Sequence, residues 1–436
     1  MKLRINFSLL VLCIPVFFLP APGGKFDFKR YYILVVLFFI NLILNGFKLK
    51  KIKIEAWESV YIVTIIISYI IHYYSGSKYG IIAICAFIIC IKYIMFDAVK
   101  TKDDFEKIID IIILLGTIYA AICIIEDFTQ FNLYDEFLGR TVFLGGANSF
   151  RGGVLRGHGM STVSTNNSMF LFWLWIFTTY KLYNFGKKYR IPYIVIGGAM
   201  LLAQARMTIL AAILCQCIFT LKKGVSKAIS RFLIILMILS VFLYFNPNIM
   251  QYISDLFLPI YNELFKSETG STIAGVSMEG SGERLALWRW VYEDVKNNLL
   301  FGKGYVNHFS YSYFNGMYNR VKTSIEVYWL FVLYQKGLFG VFGLIAYQIG
   351  NIQNLISKKK SNNFQVDYRF IMLIGTIAYF VMLFGCSALE ELEFYYFIVS
   401  LTQVYFRITK NTCKNIDSSQ LNNPGFVSLL SGLRKP

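Results

Sequence analysis

Charged residues are scarce in this sequence. Asp, Glu, Lys and Arg make up only 16% of its 436 residues, whereas soluble domains carry about 25%. Several stretches are almost free of charge, among them Val60–Ile71, Tyr79–Phe96, Ile108–Ile125 and Phe232–Phe245. This scarcity excludes a soluble enzyme and a disordered chain. The apolar residues run on without alternation, which excludes a porin-type barrel. The composition therefore predicts an all-α polytopic membrane protein.

Cysteine is absent from the segments predicted to face outward, which excludes an external disulfide framework. None of the cysteines has the spacing and context of a zinc site. The outer loops also lack an acidic cluster with the pattern of a metal site, so we expect neither a metal ion nor another cofactor. The eight cysteines lie in apolar spans or in the C-terminal tail, at Cys13, Cys85, Cys90, Cys123, Cys215, Cys217, Cys386 and Cys413.

Apolar segments recur along the whole chain. A bilayer core about 30 Å thick needs a helix of about 20 apolar residues, and we predict about twelve transmembrane helices. The segments are Phe7–Pro20, Tyr31–Phe47, Ala56–Tyr74, Tyr79–Phe96, Ile108–Ile125, Met169–Tyr183, Ile191–Ala205, Met207–Leu221, Phe232–Phe245, Ile325–Leu355, Phe370–Ala388 and Phe394–Phe406.

The distribution of basic residues predicts the orientation. Lys and Arg accumulate on the cytoplasmic side of membrane proteins. Here the basic clusters fall in alternate loops if both termini are cytoplasmic and if Ile325–Leu355 crosses only once. That segment is long enough for two helices, so we expect a bent span, or a short half-helix leading into a full one, broken near Gly337 and Gly340. The same asymmetry accounts for the net charge of +18 without a nucleic acid partner.

The predicted organisation is a single integral membrane domain over residues 1–436 with two long outer loops, 126–168 and 246–324. The polar segment 409–436, which contains a Pro-Gly turn, is predicted to be a loose cytoplasmic tail. Long loops on a rigid scaffold are where function usually lies. The first loop holds Arg151 and Arg156 among glycines.

Arg206 is a candidate functional residue. It lies at the outer turn between two apolar segments, where an arginine at the membrane edge is costly and marks a functional site by default. The alternative is an arginine that extends its side chain to the interface and only caps the end of a span.

The second loop contains a predicted amphipathic helix over 282–299. Its apolar stripe is predicted from Leu285, Trp288, Tyr292, Val295 and Leu299. Ser281 is a plausible N-cap, which places Arg284 near the N-terminus of the helix, where anions are favoured. An interfacial helix, with its tryptophans at headgroup depth, is a second interpretation. Both interpretations can hold together. Further basic residues of this loop are Arg289 and Lys303.

Four segments in order resemble one family, the O-antigen ligase and Wzy-type polymerase superfamily of bacterial membrane glycosyltransferases. The resemblance covers roughly residues 151–355 and agrees in order, spacing and topology. The segments are Gln204-Ala-Arg206, Ser281-Gly-Glu-Arg284 before a Trp-containing helix, Phe301-Gly-Lys-Gly304, and Ser324-Ile-Glu-Val-Tyr-Trp-Leu leading to Gly337-Leu-Phe-Gly340.

The resemblance implies a polymerase of a surface polysaccharide that transfers a glycan from undecaprenyl pyrophosphate to a hydroxyl of a lipid-linked repeat unit, on the outer face of the bacterial cytoplasmic membrane. Arg206 and Arg284 would then hold the pyrophosphate, and Arg151, Arg156, Arg289, Lys303 and His308 would bind substrate. The lipid bilayer, and a chain-length regulator and flippase of the same pathway, are the further partners that it implies.

Glu326 is where the sequence departs from the family. Ligases of this family carry His and then Asn at the positions that here hold Glu326 and Val327, which favours a polymerase over a ligase. Glu326 is a candidate general base. It could instead be a structural carboxylate paired with Lys322 or an outer arginine, and His308 could replace the missing His. A ligase or another oligosaccharide transferase with the same donor is the nearest alternative, and a lipid-linked oligosaccharide flippase is an alternative from another class.

Overall fold

The structure is a computed structural model of the chain. It describes residues 30–44, 54–72, 85–129, 131, 150–151, 154–155, 159, 161, 164–203, 205–222, 281–304, 310–314, 319–322, 325, 327–356, 367–386 and 391–421. Within these ranges the chain is predominantly helical, as the composition predicts. The predicted spans Phe7–Pro20 and Phe232–Phe245 lie outside the described residues.

Eleven α-helices carry the described part of the chain. In order they are α1 Arg30–Leu44, α2 Ala56–Ile71, α3 Ile91–Ala98, α4 Lys102–Thr129, α5 Ser164–Phe185, α6 Arg190–Leu202, α7 Arg206–Lys222, α8 Ser281–Val295, α9 Tyr328–Ile356, α10 Tyr368–Met382 and α11 Glu391–Leu421. The shorter helical segments are a π-helical turn, Cys85–Cys90, that leads into α3, and the 3-10 turns Lys187–Tyr189 and Lys296–Asn298.

Two helices, α4 and α9, are long and apolar enough to cross a membrane by length and composition. Shorter apolar helices, of 10–17 residues, lie at Tyr32–Leu44, Ala56–Ile71, Met207–Lys222 and Tyr368–Met382. Each of these helices overlaps a span predicted from the sequence. The total of twelve spans, and the cytoplasmic position of both termini, remain predictions.

Two short antiparallel ribbons interrupt the helical pattern, and the sequence pattern does not predict them. Strand β1, Phe150–Arg151, pairs with β2, Val154–Leu155, in the predicted first outer loop. Strand β3, Tyr311–Phe314, pairs with β4, Asn319–Lys322, in the predicted second outer loop. The second ribbon ends a few residues before α9 begins.

Helix α9 packs closely along α2 because glycine occupies two of the positions at which the helices touch. A Cβ atom added at Gly343 would lie 2.1 Å from Oγ1 of Thr64, and one at Gly350 would lie 2.2 Å from Cγ of Trp57. Neither distance is possible for real atoms. Small residues allow such close approach between helices, which fixes the register of the two helices.

The helical core is rich in aromatic rings. Trp173 of α5 is fully buried, and its ring contacts those of Tyr379 on α10 and Tyr395 on α11. The two tyrosine rings stack on each other with centroids 4.7 Å apart. The hydroxyl of Tyr395 donates to Oε1 of Gln348 at 2.7 Å, so the centre of the bundle combines ring packing with a polar network.

Basic residues from predicted inner loops gather at one end of the bundle. Lys181, at the end of α5, forms ion pairs of 2.8 Å with Glu106 and Asp110 of α4. Arg369, at the start of α10, donates to the carbonyl oxygen of Leu355. The contacts therefore join the helix ends that the charge pattern assigns to one side.

Tyr189 adds to this end of the bundle from the short turn before α6. Its hydroxyl donates to Oδ1 of Asp110 at 2.6 Å. Burial, and then this hydrogen bond, raise the pKa of the Tyr189 hydroxyl above its ordinary value. The hydroxyl therefore remains protonated and continues to donate at neutral pH.

The break predicted within Ile325–Leu355 is confirmed. Gly337 lies inside α9 with non-helical angles, φ 64° and ψ −166°. It divides α9 into a half-helix, residues 328–336, and a longer segment, residues 337–356. At 1.5 Å per residue the longer segment spans about 30 Å, the thickness of a bilayer core.

The C-terminal segment differs from the prediction. Helix α11 continues to Leu421, so residues 409–421 are helical where the sequence predicts a loose tail. The later residues of the predicted tail lie outside the described part.

Candidate functional site

The starts of α7 and α9 lie beside the same turn, Leu383–Cys386, which follows α10. Arg206 is the first residue of α7, and a Cβ atom on Gly385 would lie 3.0 Å from Cγ of the next residue, Met207. On the other side of this turn, the amide of Tyr328 donates to the carbonyl oxygen of Cys386 at 3.2 Å. The fold thus brings together the helix that begins at Arg206 and the helix that begins at Tyr328.

Glu326 itself lies outside the described residues, but both neighbours are placed. Ile325 and Val327 are buried, and the carbonyl oxygen of Val327 accepts from the amide of Phe331 as α9 begins. Trp329, in the first turn of α9, packs its ring against Phe380 of α10. The residues immediately before and after Glu326 are therefore packed against the core.

Helix α8, which carries Arg284, confirms the predicted helix and part of its predicted apolar stripe. Among the described side chains of α8, Leu287, Trp290, Val291 and Val295 are buried, and Val295 belongs to the predicted stripe. Trp288 and Tyr292 of that stripe are 42% and 51% exposed. The face that packs on the core therefore differs in part from the predicted stripe.

The helix boundaries and Arg284 can be placed more exactly. The described helix starts at Ser281 and ends at Val295, followed by a 3-10 turn to Asn298, within a residue of the predicted range at either end. Arg284 lies in the first turn, as the sequence predicts, and its side chain is not among the described atoms.

The segment 299–304 closes the break in α9. The amides of Lys303 and Gly304 donate to the carbonyl oxygens of Tyr334 and Gln335 at 2.7 and 3.0 Å, where the half-helix ends. In the other direction, the amides of Leu338 and Phe339, where the longer segment begins, donate to the carbonyl oxygens of Leu299 and Leu300 at 2.9 and 3.1 Å. Helix ends leave such backbone groups without partners, and these four bonds satisfy them. We call this arrangement the helix-break clamp.

Glycine is required on both sides of the clamp. Gly302 has φ 73° and Gly337 has φ 64°, in the region that residues with side chains rarely adopt. A Cβ atom on Gly302 would lie 2.6 Å from the amide nitrogen of Gly337, and one on Gly337 would lie 2.4 Å from the carbonyl oxygen of Leu300. The two glycine motifs of the sequence therefore meet, and the backbone conformation explains why glycine occupies these positions.

A histidine extends the clamp to a third helix. Nε2 of His72, which caps the end of α2, donates to the carbonyl oxygen of Phe301 at 2.9 Å. The amide of Gly302 donates to the carbonyl oxygen of Asn298, at the end of the 3-10 turn after α8. The clamp therefore joins α2, α8 and α9.

Lys303 and Arg289 differ in their surroundings. Nζ of Lys303 forms an ion pair with Oδ1 of Asp294 on α8, so this lysine has a protein partner. Arg289 is exposed and makes no hydrogen bond or ion pair within the described part of the chain. Of the two, Arg289 is better placed to bind an external anion.

The first outer loop folds back onto α4. Glu126, near the end of α4, is buried, and its Oε2 accepts from the amide of Gly159 at 3.0 Å. Gly159 has φ 52°, and a Cβ atom there would lie 2.2 Å from the hydroxyl of Tyr119. This contact places Gly159 against the last turns of α4.

A buried polar group beside this contact was not predicted. The apolar pattern predicts a span that begins at Met169. Helix α5 instead begins at Ser164, and Asn167 is buried in its first turns. The hydroxyl of Tyr119 donates to Oδ1 of Asn167 at 2.6 Å. The polar run Ser164–Ser168 is typical of a loop. Its burial in a helix is explained by the hydrogen bond of Asn167 with Tyr119 on α4, which the sequence pattern does not reveal.

Several predicted site residues are described only by their backbone or lie outside the described residues. Arg151 lies in β1, and only its backbone is described, as for Arg206 and Arg284. Arg156, His308 and Glu326 lie outside the described residues. Their roles remain predictions.

No group of three or more His, Cys, Asp or Glu side chains in the described part of the chain could hold a metal ion. The expectation of a metal-independent protein remains a prediction. No protein-family model matches the chain, and no curated protein sequence matches it.

Proposed function

We propose that the protein is a membrane glycosyltransferase that polymerises a bacterial surface polysaccharide, taking a glycan from undecaprenyl pyrophosphate. The observation that carries the proposal is the arrangement around α9. Sequence segments that resemble one enzyme family, and that are distant in the chain, adjoin this helix. Met207, which follows Arg206, and Tyr328, the first residue of α9, both contact the turn Leu383–Cys386, and the Phe301–Gly304 motif closes the break in α9 at Gly337.

The chemistry fits the residue types. Pyrophosphate is a charged leaving group, and arginine binds phosphate oxygens through two parallel hydrogen bonds. Arg206 and Arg284 would stabilise the charge that builds up as the glycosidic bond breaks. Glu326 would accept the proton of the attacking hydroxyl. His308 is the alternative base, and Arg151, Arg156, Arg289 and Lys303 would bind the remainder of the substrates.

The proposed setting is the bacterial cytoplasmic membrane, with the site on its outer face. Helices α4 and α9 have the length and composition of membrane spans. The buried lysines Lys92 and Lys181 are each paired with a carboxylate, Glu58 and Glu106. The predicted spans are otherwise almost free of charge, and most of the basic residues assigned to the site lie in the predicted outer loops, which favours a transferase over a flippase.

The test is synthesis of polymer from lipid-linked repeat units by the purified protein in proteoliposomes. Arg206→Ala and Arg284→Ala should each lower the rate by about 10- to 150-fold or more, since a hydrogen bond to a charged group contributes about 1.5–3 kcal/mol. Lysine at either position should restore activity only partly, because it lacks the planar fork. Arg190→Ala, at the start of α6, is the matched control and should retain activity.

The products decide between the alternatives. Long chains on the lipid carrier indicate a polymerase, and a single transfer to a different acceptor indicates a ligase. Normal chain length in Arg206→Ala or Arg284→Ala would remove that arginine from the site. Movement of unreacted donor across the membrane, without any new glycosidic bond, would replace the proposal with a flippase.

A further inference from the structure

We infer that His72 is a positioning residue, which locks the helix-break clamp and thereby fixes α8 relative to the start of α9. The inference rests on hydrogen bonds among described residues. Its consequence for catalysis rests on the proposed function, because α8 carries Arg284 and the start of α9 adjoins Glu326.

One carbonyl oxygen of the clamp, that of Phe301, bonds to α2 and not to α9. Leu299 and Leu300 use their carbonyl oxygens on the amides of Leu338 and Phe339. The next carbonyl, that of Phe301, accepts from Nε2 of His72 instead. This bond ties the turn of the clamp to the end of α2, a helix that already packs along α9.

The connection to α8 is short and rigid. The 3-10 turn Lys296–Asn298 follows α8 directly, and the amide of Gly302 donates to the carbonyl oxygen of Asn298 at 2.7 Å. The buried residues Val291 and Val295 hold α8 against the core. A shift of the clamp therefore moves α8 with it, and with α8 the backbone of Arg284.

The connection to Glu326 runs through the half-helix of α9. Residues 328–336 are about 13 Å long at 1.5 Å per residue, and the amides of Lys303 and Gly304 cap their far end. The near end is fixed to Cys386 by the amide of Tyr328. Opening the clamp would free one end of this half-helix.

The first measurement is amide hydrogen exchange by mass spectrometry on the full-length protein in nanodiscs, which needs no substrate. In the wild type the peptides that contain Gly302–Gly304 and Leu338–Phe339 should exchange slowly. His72→Leu removes the donor, and exchange in both peptides should rise about two- to tenfold, the effect of one hydrogen bond. His72→Gln retains an N–H donor and should restore the protection. Ile70→Ala, at an exposed neighbour on α2, is the control and should match the wild type.

The second measurement separates positioning from binding. With purified lipid-linked donor, His72→Leu should lower kcat with little change in KM, and His72→Gln should restore kcat. Unchanged exchange of both peptides in His72→Leu would overturn the inference, as would equal loss of kcat in His72→Leu and His72→Gln. If the exchange results are as expected but the wild type forms no polymer, the clamp stands and the proposed function fails.

Discussion

At the scale of single residues, one buried ion pair of the described part of the chain joins α2 and α3. The carboxylate of Glu58 is buried on α2 and accepts from three donors: Nζ of Lys92 at 2.6 Å, Nε2 of Gln403 at 2.9 Å and the amide of Glu55 at 2.8 Å. The sequence shows Lys92 as a lone charge in an apolar segment. Its partner is 34 residues away, and periodicity cannot identify it.

Removal of Lys92 alone should strongly destabilise the protein. Lys92→Met leaves a buried carboxylate without its counter-ion, which costs about 3–5 kcal/mol. The double variant Glu58→Gln with Lys92→Met removes both charges and should regain most of that loss. Thermal unfolding in detergent, followed by intrinsic fluorescence, measures both.

The control is the exposed pair of Lys296 and Glu293, where Lys296→Met should leave the unfolding midpoint unchanged because exposed pairs contribute little. If the double variant is as unstable as Lys92→Met, the charge pair is not the cause of the loss.

Glu326 is the candidate general base that the sequence suggests, with a structural carboxylate as the alternative. Glu326→Gln keeps the shape of the side chain and removes the base. We expect normal binding of the lipid-linked donor and a loss of most of the polymerising activity, since general base catalysis contributes about 10²- to 10⁴-fold. Donor binding and turnover can be measured on the same purified protein. A wild-type rate would make Glu326 structural and direct attention to His308.

At the scale of elements, the sequence predicts where helices occur better than which faces they bury. In α8 two apolar stripes compete, one through Trp288 and Tyr292 and the other through Leu287, Trp290 and Val291. Both have helical spacing, so the pattern cannot choose between them. The choice depends on α9, against which the second stripe packs, and this contact is long range.

The exposed stripe of α8 should lie in the outer membrane interface. Trp288 and Tyr292 are exposed on one face, Leu300 is exposed just after the helix, and Leu338 is exposed at the start of the long segment of α9. Tryptophan and tyrosine favour the headgroup region. In nanodiscs with brominated lipids, Trp288→Phe should remove part of the lipid-dependent quenching of tryptophan fluorescence, and Trp290→Phe, on the buried face, should not.

Equal loss of quenching in the two variants, or none in Trp288→Phe, would mean that α8 does not rest on the membrane with this face.

Alanine substitutions at three glycines can distinguish the free-energy cost of backbone strain from that of a steric clash. Gly337 and Gly186 share a backbone region that favours glycine, with φ of 64° and 83°. A Cβ atom on Gly337 would lie 2.4 Å from the backbone of Leu300, whereas nothing lies within 4 Å of one on Gly186. Gly186→Ala should therefore cost only the strain, about 1–3 kcal/mol, and Gly337→Ala should cost more or prevent folding.

Gly198, inside α6, is the third member of the series, because the nearest atom to an added Cβ is 4.0 Å away. Alanine there should be neutral or stabilising by up to about 1 kcal/mol, because glycine is unfavourable within a helix. The unfolding midpoints of the three variants should follow this order. A midpoint for Gly337→Ala no lower than that for Gly186→Ala would contradict the clamp geometry.

At the scale of the whole molecule, hydropathy predicts most of the described helices, because each apolar segment in a bilayer must satisfy its own polar backbone groups by forming a helix. The break at Gly337 also follows from the sequence, since the charge pattern requires Ile325–Leu355 to cross once. The meeting of Phe301–Gly304 with that break could not be predicted. It depends on backbone hydrogen bonds, which leave no mark in composition beyond the glycines.

The orientation of the molecule is the last prediction, and the site depends on it. The contacts of Lys181 with Glu106 and of Arg369 with Leu355 join helix ends that the charge pattern assigns to the cytoplasm. The charge pattern predicts that α6 crosses the membrane from this end, so that Arg206, at the start of α7, lies on the outer side. Single cysteines at Ser271 and Lys359, in a background without the native cysteines, should react with a membrane-impermeant reagent from outside and from inside, respectively. Labelling of Ser271→Cys only from the cytoplasmic side would place 246–324 on the wrong side for a donor whose pyrophosphate lies at the outer face, and the proposed function would then fail together with the orientation.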